Sequence, residues 1–237
     1  NLGLKVIAED AFPVQFKRDD GWTENGAILD FQMERADGQA AGLDDIREPL
    51  QDVFHAVLGG QAESDGFNRL VIGAGLNWRE GAILRTVAKF LRQAAFPFSQ
   101  DYMEQALARN PEIAALLTQK FHARLDPKSH SDADTTRLSD GIEAALANVP
   151  SLDDDRIIRR FRNVIANILR TNYYQPEAAT IAVKLDSAKL DDLPAPRPWR
   201  EIFVYSPQLE GVHLRFGKVA RGGIRWSDRR EDFRTEI

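Results

Sequence analysis

Apolar and polar positions change their period twice along the chain. Leu4, Val6 and Ala8 alternate with polar neighbours, and Ile28, Phe31 and Met33 lie in a second extended run, so the stretch up to about residue 40 predicts β structure. Asp19-Asp20-Gly21 and Asn25-Gly26 supply turn chemistry between the two runs. Leu43, Ile46, Leu50, Val53, Phe54 and Val57 then recur at helical spacing until Gly59-Gly60. Pro49 is compatible with a helix only in its first turn, which predicts a start near Ile46.

From about residue 77 to 172 the period is helical. Asn77 and Glu80 have the spacing of a capping box, ahead of a stripe of Ile83, Leu84, Val87, Leu91 and Ala95 that Pro97 ends. Ser99 can cap a helix carrying Tyr102, Met103, Ala106 and Leu107, and Asn110-Pro111 places a cap and an N1 proline before Ile113, Leu116, Leu117 and Phe121. Beyond the polar connector Pro127–Asp134, Leu138, Ile142, Ala145, Leu146 and Val149 mark another helix. One more opens at Ser151, where Asp153-Asp154-Asp155 complements the dipole and Ile157, Ile158, Phe161, Val164, Ile165, Ile168 and Leu169 form the apolar face. After Pro176 alternation returns in Ile181/Val183/Leu185, Ile202/Val204 and Val212/Leu214/Phe216, with the stiff connector Leu193–Pro198 between the first two. The fold class is therefore α+β, with divisions expected at 1–75, 76–175 and 176–237. The strand–strand–helix start is half of a split β-α-β arrangement, as in ACT-type regulatory modules, whose other half would precede Asn1.

Composition changes this picture little. A hydrophobic share of 43% and a charged share of 28% are ordinary for a folded chain, and a net charge of -5 argues against a dedicated nucleic-acid binder. There is no cysteine, and His55, His122, His130 and His213 show no helical ligand spacing, so a thiolate or His-based metal site is not expected. No apolar run approaches the roughly 20 residues of a membrane span. These features point to the cytoplasm. The chain opens without Met and closes in what reads as the first turns of a helix, so an internal piece of a larger protein is expected.

Three segments invite a chemical reading. Arg69–Trp78 offers a strand-like run, then Gly73-Ala74-Gly75, but Trp78 occupies the third glycine position of a dinucleotide fingerprint and no acidic strand end follows. The acids at 153–155 could face a cation, yet adjacent side chains at a helix start diverge, and the dipole accounts for them. The arginines at 156, 159, 160 and 162 read as a solvated helix surface, and His213 as pointing away from the face of Val212 and Leu214. The third segment is the most informative. From Val212 onward the chain has seven Lys or Arg against four acids, and a strand ends at Gly222-Gly223 between Arg221 and Arg225. Paired glycines admit a ligand close to backbone N–H groups, and arginine offers a bidentate fork for a carboxylate or phosphate. Chemistry alone leaves two readings open here, an anion-binding turn and a tight turn with solvated arginines.

The run Val219-Ala220-Arg221-Gly222-Gly223-Ile224-Arg225-Trp226-Ser227-Asp228-Arg229-Arg230-Glu231-Asp232-Phe233-Arg234-Thr235-Glu236-Ile237 resembles the opening of the catalytic region in the large bacterial NAD-specific glutamate dehydrogenases. Asn68-Arg69-Leu70, Leu76-Asn77-Trp78-Arg79-Glu80 and Ser151–Ile157 are similar to the same family. The resemblance implies oxidative deamination of L-glutamate to 2-oxoglutarate and ammonium with NAD as hydride acceptor, in a homo-oligomer, with ACT-like modules and a helical segment before the dehydrogenase core. Compact relatives carry Lys-Gly-Gly-x-Arg at this turn, where the lysine contacts a substrate carboxylate. By position the resemblance implies that Arg221 takes that contact, Gly222 and Gly223 lie against the substrate, and Arg225 braces the turn. The departure is Arg221 in place of lysine. The catalytic lysine and the nucleotide domain would lie beyond Ile237, so no catalytic and no NAD-binding residue is expected in this chain, which alone should neither turn over glutamate nor hold NAD. The alternative role for most of residues 1–175 is regulatory: binding an amino-acid effector or neighbouring subunits. Binding of nucleic acid or membrane is not expected.

Overall fold

The structure, a computed structural model, describes residues 2–36, 38, 43–195, 197–219 and 224–227; residues 43–45 and 224–227 are described by their backbone. It is α+β. Strands β1 (Leu4–Lys17) and β2 (Thr23–Arg35) form an antiparallel hairpin, longer than the alternating residues alone predict. Its turn is built by Gly21 (φ 84°), whose N–H donates to Arg18 O at 3.0 Å, while Trp22 N–H donates to Asp20 Oδ1 at 3.1 Å. Asn25-Gly26 is not part of that turn. It lies inside β2, opposite Gln15 and Val14, where a Cβ on Gly26 would meet the Phe16 ring at 2.8 Å. The glycine is there to make room for an aromatic ring.

Helix α1 (Leu43–Leu58) starts before Ile46 and contains Pro49 in its body rather than its first turn; it stops where expected, with Gly59 and Gly60 N–H bonded to His55 and Val57 carbonyls. Residues 69–73, strand-like in sequence, are the short helix α2 (Arg69–Gly73), because Leu70 and Val71 pack into the helical core rather than into a sheet. Helix α3 (Trp78–Gln93) has the full Asn77/Glu80 capping box, but ends before Ala95, which adopts φ 57°. Helix α4 (Gln100–Arg109) is capped by Ser99, and α5 (Pro111–Leu125) has proline at its first turn. Asn110 does not cap α5. Its amide donates to Ala106 O at 2.8 Å and Asp154 Oδ2 at 3.2 Å. Ser131 and Ser151 cap α6 (Asp132–Leu146) and α7 (Leu152–Ala166).

Ile168 and Leu169 do not continue α7. Asn167 ends it, and Ile168–Thr171 is strand β3. With β4 (Ile181–Leu185), β5 (Arg200–Tyr205), β6 (Glu210–Arg215) and β7 (Ile224–Ser227) it makes an antiparallel sheet in sequential order. One hydrophobic core runs from Phe67 to Leu214 and joins helices to sheet, with the rings of Phe90 on α3 and Phe203 on β5 5.8 Å apart, edge to face. Helix α3 is buried on nearly all sides, as a central helix must be. In β5 the fully buried side is that of Glu201, Phe203 and Tyr205, while Ile202 and Val204 are half-buried. Among the described residues no helix is long and apolar enough to cross a membrane.

Candidate functional site

Arg221, Gly222 and Gly223 lie outside the described residues. What is described is their frame. β6 and β7 pair from Glu210↔Ser227 to His213↔Ile224, so the Arg-Gly-Gly run falls in the connection between these strands, and Arg225 stands in β7 with its Cα opposite Val212. His213 is half-buried opposite Ile202, on the side away from Val212 and Leu214.

At the end of the sheet where β6 leaves for that connection, Arg200 and Arg215 are direct cross-strand partners. Like charges so placed repel unless something separates or neutralises them. Here Trp199 lies beside both guanidinium groups, 4.5 Å from Arg200 Cζ and 5.2 Å from Arg215 Cζ. Arg200 donates to Asp186 Oδ1 at 2.7 Å, and Arg215 to the carbonyls of Gly217, at 3.1 Å, and Lys218. The carbonyl bonds leave the charge of Arg215 in place and fix the start of the turn. This end of the sheet is thus suited to draw an anion toward the connection.

Behind the sheet lies a polar group the sequence reading did not find. Arg85, Lys89 and Gln93 repeat every four residues along α3 and are all buried. Arg85 donates to both carboxylate oxygens of Asp65, each at 2.6 Å, and to Asn68 Oδ1 at 3.0 Å. Burial opposes its charge, but the Asp65 bonds outweigh it and hold its pKa above the ordinary arginine range. Lys89 lies 3.1 Å from Glu63 and 3.8 Å from Glu210, Gln93 donates to Glu210 at 2.9 Å, and Tyr205 OH donates to Glu63 at 3.0 Å. Burial pushes the carboxyls of Glu210 and of nearby Glu104 up. The network ties α3 to β5 and to β6, the strand that leads into the turn. Its sequence signal was the i, i+4, i+8 spacing of 85, 89 and 93, which looks like an ordinary solvated stripe until acids from residues 63, 65 and 210 meet it.

A second group joins Glu80, His122 and Tyr174. His122 Nδ1 is 2.9 Å from Tyr174 Oη and its Nε2 3.3 Å from Glu80 Oε1. The His122 bond lowers the Glu80 carboxyl, and burial raises both Tyr174 and Tyr173, the latter to about 12. Both phenols therefore keep their protons across the neutral range.

The acids at 153–155 turn to three different partners. Asp154 takes a bidentate bond from Arg109 (2.6 and 2.9 Å), Asp153 accepts from Tyr102 Oη at 3.4 Å, and Asp155 accepts from Arg159. Among the described residues no three His, Asp or Glu gather as a metal site. The arginines of α7 are not simply solvated: Arg159 and Arg162 both bind Glu143 on α6, and Arg160 binds Asp192. Residues 69–78 form no dinucleotide cradle, since 69–73 is helical and Trp78 opens α3.

Comparison with known proteins places the chain. The family model described as bacterial NAD-glutamate dehydrogenase, catalytic domain, matches residues 141–237, and that described as glutamate dehydrogenase, helical motif 3, matches residues 62–127. The NAD-specific glutamate dehydrogenases of Halomonas elongata and Pseudomonas aeruginosa are 44% and 42% identical over the whole chain. That of Mycobacterium tuberculosis is 47% identical over 84% of it. The chain spans about 15% of the length of the first two and 13% of the third. The buried α3 network and the start of the β6–β7 frame fall within these matched regions, and the chain belongs to the family of large NAD-specific glutamate dehydrogenases.

Proposed function

We propose that the protein carrying this chain is an NAD-dependent glutamate dehydrogenase of the cytoplasm, oxidatively deaminating L-glutamate to 2-oxoglutarate and ammonium, and that the β6–β7 connection is one wall of its substrate site. The observation that carries the reading is the match of residues 141–237 to the catalytic-domain family, which includes the Arg-Gly-Gly run between paired strands. In this role Arg221 donates N–H bonds to a substrate carboxylate, Gly222 and Gly223 let the backbone approach it, and Arg225 braces the turn from β7. Arg215, bonded only to backbone carbonyls, adds positive potential at the same end of the sheet. NAD supplies the hydride acceptor when bound. As residues 69–78 form no dinucleotide cradle, no step of its binding is assigned to them. The chemistry also requires a lysine of perturbed pKa for proton transfer, which is not assigned within this chain. The test is an NADH assay. The complete protein should form NADH from glutamate, and the 237-residue chain by itself should form none; NADH from the isolated chain refutes the division of labour.

The β1–β2 hairpin favours an additional role. No residue in either strand is buried, although Phe12, Phe16, Ile28, Leu29, Phe31 and Met33 are apolar. We read it as part of an ACT-like module within residues 1–75 that serves homo-oligomer assembly or holds an amino-acid effector, linked by helices to the catalytic part. Phe12→Ser with Phe31→Ser should lower the oligomeric mass of the complete protein or abolish its response to effector amino acids. No change in either removes this role.

A further inference from the structure

Three features coincide at a pocket that uses no residue of the Arg221–Arg225 segment. Past Gln93, the end of α3 turns through Ala94 and Ala95 toward Phe96, facing α7 and the loop at 190–193. The space between them is about 260 Å³, with Ala94, Phe96, Val164 and Leu193 on its apolar wall and Arg156, Arg160, Asp191 and Asp192 at its rim, the positive excess lying in the cleft beside it. It continues into a cleft of about 580 Å³ that shares Phe96 and both arginines and adds Lys189 and Arg197. An apolar recess beside a cationic cleft suits a molecule with an apolar body and an anionic head.

The backbone is strained on both sides of this recess. Among the described residues the non-glycine residues with positive φ are Ala95 (57°) and Asp192 (47°), and both line it. Such conformations cost an L-residue free energy and persist where the surroundings impose them, often at ligand sites. The two arginines also differ. Arg160 donates to the Asp191 carbonyl and pairs with Asp192, with its guanidinium 5.4 Å from the Phe96 ring, so it is committed to holding the loop. Arg156 is exposed, lies 5.7 Å from the Phe98 ring, makes no ion pair among the described residues and lines the recess.

We propose that this pocket binds a small amphipathic anion, its apolar body between the end of α3 and α7 and its carboxylate or phosphate on Arg156. The test titrates hexanoate and hexyl phosphate into the ¹⁵N-labelled 237-residue chain, with hexanol and inorganic phosphate as controls. The amphipathic anions should shift the amides of Ala95, Phe96 and Asp192 saturably, with each control at least about tenfold weaker. Arg156→Ala should weaken binding about tenfold, and because Arg156 is exposed the variant's spectrum should otherwise be unchanged. Tighter binding of hexyl phosphate identifies a phosphate ligand, tighter binding of hexanoate a carboxylate one. Absence of saturable shifts with both anions, or shifts undiminished in Arg156→Ala, overturns the proposal.

Discussion

In β5, Phe203 and Tyr205 share one side and are 0% and 3% exposed; in β2, Leu29, Phe31 and Met33 share one side and are 48%, 41% and 45% exposed. The run Ile202–Tyr205 of β5 is apolar throughout, and β2 is apolar at every second residue of one side. The first has α3 laid against it, with Phe90 meeting Phe203, while the second pairs with β1, itself apolar on the same side at Ala11. Alternation encodes a side to be covered, not what covers it, and a lone hairpin gains little by itself. The stability of this chain thus lies in its body, and the apolar side of the hairpin is left exposed.

The comparison breaks most visibly at a core ring. Phe203→Ala should cost about 3–5 kcal/mol in urea unfolding of the chain, and Phe31→Ala no more than about 0.5 kcal/mol. Equal costs would show that the hairpin belongs to the folding unit after all. The ionic contacts should divide in the same way. Asp65→Ala strands the buried Arg85 and should cost about 3 kcal/mol or more, much of it recovered when Arg85→Met is added. Glu143→Ala, which removes the exposed partner of Arg159 and Arg162, should cost no more than about 1 kcal/mol.

Lys120 sharpens the contrast by pH. Burial, then the nearby charges of Arg162 and Arg124, push its ammonium down from 10.5 to about 8. Between those values the unfolded chain binds more protons than the folded one, so stability should rise with pH from about 8 toward 10.5. Lys120→Met should flatten that rise and stabilise the chain at neutral pH by on the order of 1 kcal/mol. A chemical-denaturation series across this window checks it, and an unchanged slope in the variant contradicts it. At the helix caps, Ser99→Ala and Ser151→Ala should each cost about 1 kcal/mol, measured the same way.

Local signals in the sequence were the ones that survived folding. The capping box at Asn77/Glu80, the serine caps at 99 and 151 and the alternation of Val183 with Leu185 in β4 and of Val212 with Leu214 in β6 are all set by residues within a few positions of one another, whereas in β5 the buried side is that of Phe203 and Tyr205 rather than Ile202 and Val204. Misreadings arose where distant partners decide. Arg69–Gly73 is apolar enough for a strand but becomes helical against the α3–α4 core, and Ile168 continues the period of α7 yet pairs with Leu185 in β3. Asn25-Gly26 looked like a turn because nothing nearby showed that Phe16 would cover the glycine from across the hairpin. Of the candidate site, the Arg-Gly-Gly motif was legible because it is contiguous. The Trp199–Arg200–Arg215 cluster and the buried stripe of Arg85, Lys89 and Gln93 were not, since each is assembled only when strands pair or acids from other elements arrive.

The most direct test of the proposed substrate wall is steady-state kinetics of the complete protein with Arg221→Ala and Arg221→Lys. Losing a charge-assisted carboxylate contact should lower kcat/KM for glutamate and 2-oxoglutarate by about a hundredfold in the alanine variant, with the lysine variant recovering much of that loss and the KM for NAD unchanged. A kcat/KM for glutamate unaffected by the alanine substitution would contradict the assignment of this turn to the substrate.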